Sequence, residues 1–209
     1  MYTLYFAPGT AAMLTHLVLL ECGVPYELKA VDLAAGEQRS DAYLALNPGG
    51  TVPTLIVDGA PHGETAALAL LLTERHPEAG LAPAVGAPDR AVFLQWMFYL
   101  ANTLQPGFRQ WFYADEFVPD SAEAIAEAGR QRIEACWERI AAHLDNHGPH
   151  MLGETFSVVD LYVVMLMRWS RNMPRPATDW PSLAALATKV KARPSWKTLY
   201  EREQLSEWA

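Results

Sequence analysis

Apolar and polar positions change over short intervals in the first third of the chain and recur at helical spacing beyond it. Tyr2–Phe6 is an apolar strand, and Ala7-Pro8-Gly9 turns into an apolar run over about residues 11–22. Gly23 stops that helix, because glycine takes the left-handed conformation that ends helices. A strand follows over about residues 26–31, then a short helix over 41–46. Thr54–Val57 reads as a third strand, Pro61-His62 as a short edge strand, and residues 66–72 as an apolar helix. This order, β-α-β-α-β-β-α, predicts a thioredoxin-like α/β domain over residues 1–77.

Residues 78–88 hold two glycines and two prolines without periodicity and are read as a linker. Residues 89–209 carry helical patterns throughout, which predicts an all-α second domain. The run over residues 91–104 is apolar nearly all round, as a helix buried on more than one face must be, and Pro106-Gly107 is expected to kink or break it. Asp120-Ser121 is expected to cap a long helix reaching about residue 145. Ser157-Val158-Val159-Asp160 is a capping box with aspartate at its third helical position, and Phe156 and Leu161 stand where a hydrophobic staple would form. Pro181 and Pro194 suit the first turns of two last helices.

At 209 residues the chain can bury a core without covalent staples. A formal charge of -8 argues against nucleic acid or an anionic membrane as partner. The apolar run at 91–104 is interrupted by Gln95, Asn102 and Thr103 and is too short to span a bilayer. The first residues show no basic segment ahead of a signal-like apolar run, so a cytoplasmic location is expected. Cys22 and Cys136 have neither disulfide-framework nor zinc-ligand spacing, and they read as small core residues. His143, His147 and His150 cluster near a helix end, but no nearby carboxylate or cysteine completes a metal site, so no metal is expected. His16, inside the first helix, is expected to support the fold.

Chemistry enters with Asn47-Pro48-Gly49-Gly50-Thr51-Val52-Pro53-Thr54-Leu55, followed by Gly63-Glu64-Thr65-Ala66. Pro53 has no amide donor, so it belongs at a strand start or edge. A cis Val52-Pro53 bond would leave the Val52 amide and carbonyl facing outward, ready to pair with a ligand backbone. Glu64 and Thr65 open an apolar helix, where free amides and the positive end of the dipole favour a carboxylate. Glu64 also suits an ammonium group. The pair therefore matches the zwitterionic end of an amino acid.

These segments resemble the glutathione-binding half of the glutathione transferases, and the resemblance runs the length of the chain. It implies the thioredoxin-like plus all-helical architecture, a homodimer, and glutathione as co-substrate without a metal. It also implies that Val52 pairs with the cysteinyl part of glutathione beside a cis Pro53, and that Glu64 and Thr65 hold the γ-glutamyl end. Thr65 stands where the family has serine and keeps its hydroxyl. The N-terminus resembles the bacterial beta-type enzymes, in which a Ser-Pro-Gly segment leads to a cysteine and then a serine. Here Ala7-Pro8-Gly9-Thr10-Ala11 lacks both, so mixed-disulfide chemistry on the protein loses its attachment point. Where those enzymes bring a His-Lys pair towards the thiol, this chain has Gln105 and Pro106. Gln105 remains a candidate for hydrogen bonding to glutathione, without charge.

Conjugation needs a thiolate near neutral pH. A free thiol ionises near 8.5, and lowering that by about two units takes roughly 3 kcal/mol of preferential stabilisation of the anion. Thr10 is the favoured side-chain donor, with Tyr5 and the amides of residues 10–12 as alternatives; threonine ahead of a helix also commonly caps its own amides. Phe108, Trp111, Phe112, Tyr113, Met165 and Trp169 are candidates for an electrophile pocket between the domains, although each taken singly suits core packing better. Arg109, Arg168, Arg171 and Arg175 suit a solvated face better than an acidic-substrate site. The expected function is conjugation of glutathione to hydrophobic electrophiles, with glutathione-dependent peroxide reduction as a further candidate activity. The rivals are a glutathione-binding module without turnover and a glutathione-dependent isomerase.

Overall fold

The computed structural model describes residues 1–208. The chain forms two compact units, one of residues 1–82 together with the chain from Lys191 onward, the other Pro83–Val190. The sequence-based division at 77 and 89 differs from this in one respect: the C-terminal end belongs with the first unit.

In the first unit a four-stranded sheet runs in the order β2-β1-β3-β4. Here β1 is Tyr2–Phe6, β2 Tyr26–Ala30, β3 Thr54–Val57 and β4 Ala60–His62. β2 lies parallel to β1, whereas β3 is antiparallel to β1 and to β4. The helices are α1 (Ala12–Cys22), α2 (Asp41–Leu44) and α3 (Thr65–Arg75), and α9 (Pro194–Arg202) joins them from the end of the chain. α1 packs against α3 and α9. That enclosure explains a helix whose first eight residues are all buried, the polar Thr15 and His16 included. Gly23 ends α1 in the left-handed region at φ 64°, as its place in the sequence predicts.

In the second unit one helical run passes through α4 (Arg90–Tyr99), a π turn (Leu100–Leu104) and α5 (Gln105–Phe112). The break expected at Pro106-Gly107 does not occur. The Gln105 amide reaches back five residues to the Leu100 carbonyl, and this widened turn leads into α5 with Pro106 in its first turn, where a missing donor costs little. α5 packs against α6 (Ala122–His147). Two glycines permit the approach. A Cβ on Gly129 would stand 3.0 Å from the Gly107 carbonyl, and one on Gly107 would stand 2.9 Å from Ile133. Ser121 precedes α6 without a side-chain cap, contrary to expectation. α7 (Val158–Trp169) and α8 (Pro181–Lys191) complete the unit.

α7 starts with the full capping box that its sequence announces. The Asp160 carboxylate accepts the Ser157 amide at 2.7 Å and also the Met151 amide at 2.8 Å. This buried acid thus ties the preceding loop to the helix start.

Candidate active site

The first helix begins from a turn built on Gly9, whose φ of 72° favours glycine. At that turn the Thr10 hydroxyl donates to the Ala7 carbonyl at 2.7 Å and accepts the Ala12 amide at 3.3 Å. Its one proton is therefore engaged, and the side chain caps the helix entrance. The Gly9 amide turns inward and donates to the Glu203 carboxylate at 3.0 Å. The other oxygen of Glu203 accepts His16 Nδ1 at 2.8 Å, and both side chains are fully enclosed. His16 Nε2 lies 2.9 Å from the Tyr26 hydroxyl, which in turn accepts a bond from Arg202 at 2.6 Å. Nothing local in the sequence marks Glu203 as a partner of residue 9, because 194 residues separate them.

Val52-Pro53 is a cis bond. Behind it, Asn47 Nδ2 donates to the Thr51 carbonyl at 2.9 Å and to Thr54 Oγ1 at 3.1 Å, while its Oδ1 accepts the Gly49 amide at 3.0 Å. Tyr43 of α2 adds a second bond to the Thr51 carbonyl at 2.7 Å. Val52 makes no hydrogen bond to another described residue.

Ahead of α3, Glu64 has φ 67° and ψ 102°, a region an L-residue occupies at a cost of roughly 1–3 kcal/mol. Strain of this kind persists where the surroundings impose it, and here it sits at the entrance of a helix whose first amides lack intrahelical acceptors. Thr65, mostly buried, is the first residue of α3 and its hydroxyl reaches the Ala11 carbonyl at 3.5 Å, a long contact. Gly63 stands against the loop, since a Cβ there would lie 3.7 Å from Asn47 Nδ2 and 4.0 Å from the Pro53 carbonyl. The fold thus brings the α1 entrance, the cis-proline loop and the α3 entrance to one end of the first unit.

Tyr5 takes a different side. Neighbouring strand residues face opposite ways, and Phe6 meets His16 of α1 while the Tyr5 ring meets Tyr43 of α2 edge-on at 5.9 Å. Lys29, its register partner on β2, sits 5.4 Å from that ring.

Gln105 belongs to the second unit, where its side-chain carbonyl accepts the Tyr162 hydroxyl. Phe108 and Met165 are core residues, whereas Phe112 and Tyr113 are about half exposed. Arg168 is buried in α7, not solvated as expected. Arg109 pairs with Glu116 and lies 4.3 Å from the Tyr113 ring, Arg171 donates to the Arg168 carbonyl at 3.0 Å, and Arg175 pairs with Glu138 at 3.2 Å. His143 Nε2 lies 3.0 Å from the Met151 carbonyl. Cys22 is only half-buried, so it is less of a core residue than its helical setting predicts; burial first, then Glu78 and Glu21, pushes its thiol up to about 11.

A thioredoxin-like unit with a cis-proline loop and a strained helix entrance, accompanied by an all-helical unit, defines the class of protein. Comparison with known proteins specifies it further. Residues 11–75 match the family model for the glutathione S-transferase N-terminal domain, and residues 102–203 match that for the C-terminal domain. A glutathione S-transferase of Xanthomonas campestris, GST-4.5, is 30% identical over 185 residues, 88% of each chain. GstA of Escherichia coli O157:H7, also a glutathione S-transferase, is 27% identical across 97% of this chain and 98% of its own. The crystal structure of a glutathione transferase homologue from Sulfitobacter, solved with bound glutathione, superposes with a TM-score of 0.90 at 29% identity, covering 98% of this chain and 99% of that one. The chain belongs to the glutathione S-transferase family, and it is a transferase of that type.

Proposed function

We propose that this transferase binds glutathione at the end of its first unit and joins it through its sulfur to small hydrophobic electrophiles. The observation that carries the reading is the bare backbone of Val52 beside cis Pro53, next to an α3 entrance headed by Glu64 and Thr65. In the proposed complex the Val52 amide and carbonyl pair with the cysteinyl residue. The first amides of α3 and the Thr65 hydroxyl hold the γ-glutamyl carboxylate, and Glu64 faces the ammonium group. Glutathione is the only co-substrate in this reading.

Thr10 and the amides that open α1 are proposed to stabilise the thiolate. For Thr10 to donate to sulfur it must give up the 2.7 Å bond to Ala7. A neutral hydrogen bond is worth about 1 kcal/mol and one to a charged group about 1.5–3 kcal/mol, so the exchange yields only about 1 kcal/mol. The roughly 3 kcal/mol required for a two-unit shift then rests mostly on helix amides and their dipole. Tyr5, packed towards α2, has less support than Thr10.

The thiolate attacks an electrophilic carbon and forms the C–S bond while a leaving group departs, or an activated double bond takes a proton from water. With a hydroperoxide, attack on the outer oxygen gives an alcohol and a glutathione sulfenic acid, which a second glutathione converts to the disulfide and water. We further propose that the protein acts as a homodimer in the cytoplasm in detoxification.

The engaged proton of Thr10 favours a second reading, a glutathione-binding module with little turnover. Retention on immobilised glutathione combined with a screen of chlorinated nitrobenzenes, unsaturated carbonyls and organic hydroperoxides separates the two. Retention with turnover supports the transferase, retention without turnover supports the module, and no retention contradicts both.

A further inference from the structure

If glutathione is bound at the proposed site, the Val52 amide that meets it is aimed by the peptide group to which it belongs. A peptide group is planar and trans, so the Thr51 carbonyl and the Val52 N–H, which belong to one plane, point in opposite directions. Fixing one fixes the other. The Thr51 carbonyl accepts two hydrogen bonds, from the Tyr43 hydroxyl at 2.7 Å and from Asn47 Nδ2 at 2.9 Å. Both of its lone pairs are filled.

The donors are themselves held. Tyr43 is almost wholly buried, and its hydroxyl lies 3.0 Å from Thr54 Oγ1, which is fully buried. Because the Tyr43 proton goes to Thr51, the bond between Tyr43 and Thr54 must carry the Thr54 proton. Thr54 in turn accepts from Asn47 at 3.1 Å. The result is a closed ring of hydrogen bonds in which every proton is assigned and the Thr51-Val52 peptide has one orientation. The Ser40 side chain accepts the Tyr43 amide at 3.3 Å, which anchors the residue at the start of α2. Opposite the ring, the Val52 amide has no partner among the described residues.

We propose that Tyr43 is a positioning residue for ligand binding: by holding the Thr51 carbonyl inward, it aims the Val52 amide at the cysteinyl carbonyl of the bound tripeptide. It touches neither the thiol nor the electrophile, so its contribution falls on affinity for the peptide and not on the ionisation of sulfur. The preset orientation spares the ligand the cost of ordering this peptide on binding.

The test uses Tyr43→Phe, which keeps the ring and removes one hydroxyl. S-methylglutathione is the probe, because it has no ionisable thiol and reports the backbone contact alone. Its dissociation constant, measured by calorimetry on the full-length protein, should rise about fivefold, the loss of roughly one hydrogen bond. With glutathione the effect should reside in KM and not kcat, and the pH profile of kcat should stay in place. Nuclear magnetic resonance should show the Val52 amide proton shifting on ligand addition in the wild type and shifting less in the variant. Should Tyr43→Phe fail to fold, Asn47→Asp removes the other donor while keeping an acceptor for Gly49, and the same two readouts apply. A folded variant with unchanged affinity and an unchanged Val52 shift overturns the inference and leaves the glutathione site standing. If the wild type does not bind S-methylglutathione, the site reading falls and this inference falls with it.

Discussion

The Glu203 carboxylate, one residue beyond α9, accepts the backbone amide of Gly9 at 3.0 Å while its second oxygen holds His16 at 2.8 Å. The C-terminal end of the chain thereby fixes the turn from which α1 and its proposed thiolate-facing amides begin. A second tie lies further along the same helix, where Arg193 donates two bonds of 2.6 Å each to Glu21.

Removing this carboxylate takes away an acceptor that the Gly9 amide and the buried His16 imidazole share. Glu203→Ala should destabilise the protein by about 3 kcal/mol, and Glu203→Gln, which keeps one acceptor oxygen, by less. Denaturant unfolding checks the order. Equal stability of Glu203→Ala and wild type would mean the contact carries nothing.

Thr10 is expected to matter modestly. If its net gain is about 1 kcal/mol, Thr10→Ala raises the ionisation point of bound glutathione by less than one unit, and Tyr5→Phe leaves it unmoved. A pH titration of thiolate absorbance separates the contributions. A shift of two units or more in Thr10→Ala would give the threonine the whole task, and a shift confined to Tyr5→Phe would transfer it to the tyrosine.

At the α3 entrance, Thr65→Ser should preserve glutathione affinity and Thr65→Val should weaken it. The hydroxyl's bond to a carboxylate, about 1.5–3 kcal/mol, corresponds to roughly a ten- to hundredfold rise in KM. Steady-state kinetics with glutathione varied at a fixed electrophile gives the answer, and an unchanged KM in Thr65→Val would remove the residue from the site.

Cys22 offers a pH-dependent readout away from the site. Burial and the nearby carboxylates of Glu78 and Glu21 push its thiol up to about 11, so it is protonated at neutral and mildly alkaline pH. The sign follows directly: reactivity with iodoacetamide should be very slow at pH 8 and climb about tenfold per unit as pH rises towards 11, as long as the fold persists. Because the raised value favours the folded state only while the thiol is protonated, this contribution fades above the unfolded thiol's ionisation point, near 8.5. Fast modification at pH 8 would contradict the burial.

The cis-proline loop and the Glu64-Thr65 entrance were legible in the sequence because each is a contiguous run whose residue types answer a local backbone demand. The same holds for Gly23 and for the Ser157-Asp160 box. What escaped was non-local or depended on surroundings. Glu203 sits far from Gly9 in sequence, and nothing in the short helix over 41–46 marks the Tyr43 hydroxyl as a partner of the Thr51 carbonyl. Local rules count the missing donor of Pro106 and so predict a kink or break, but a π turn just before it carries the helical run through without a break. Thr10 was legible as a hydroxyl at the turn before α1, yet the destination of its proton is set by the turn geometry at Ala7.

In the proposed reaction glutathione is bound at the end of the first unit and held there as a thiolate. The most direct measurement is the thiolate absorbance of glutathione at saturating protein, followed as pH is lowered. Binding should saturate, with an ionisation point well below the free thiol's value of about 8.5. Absence of saturable binding, or binding with ionisation unmoved from the free value, would contradict it.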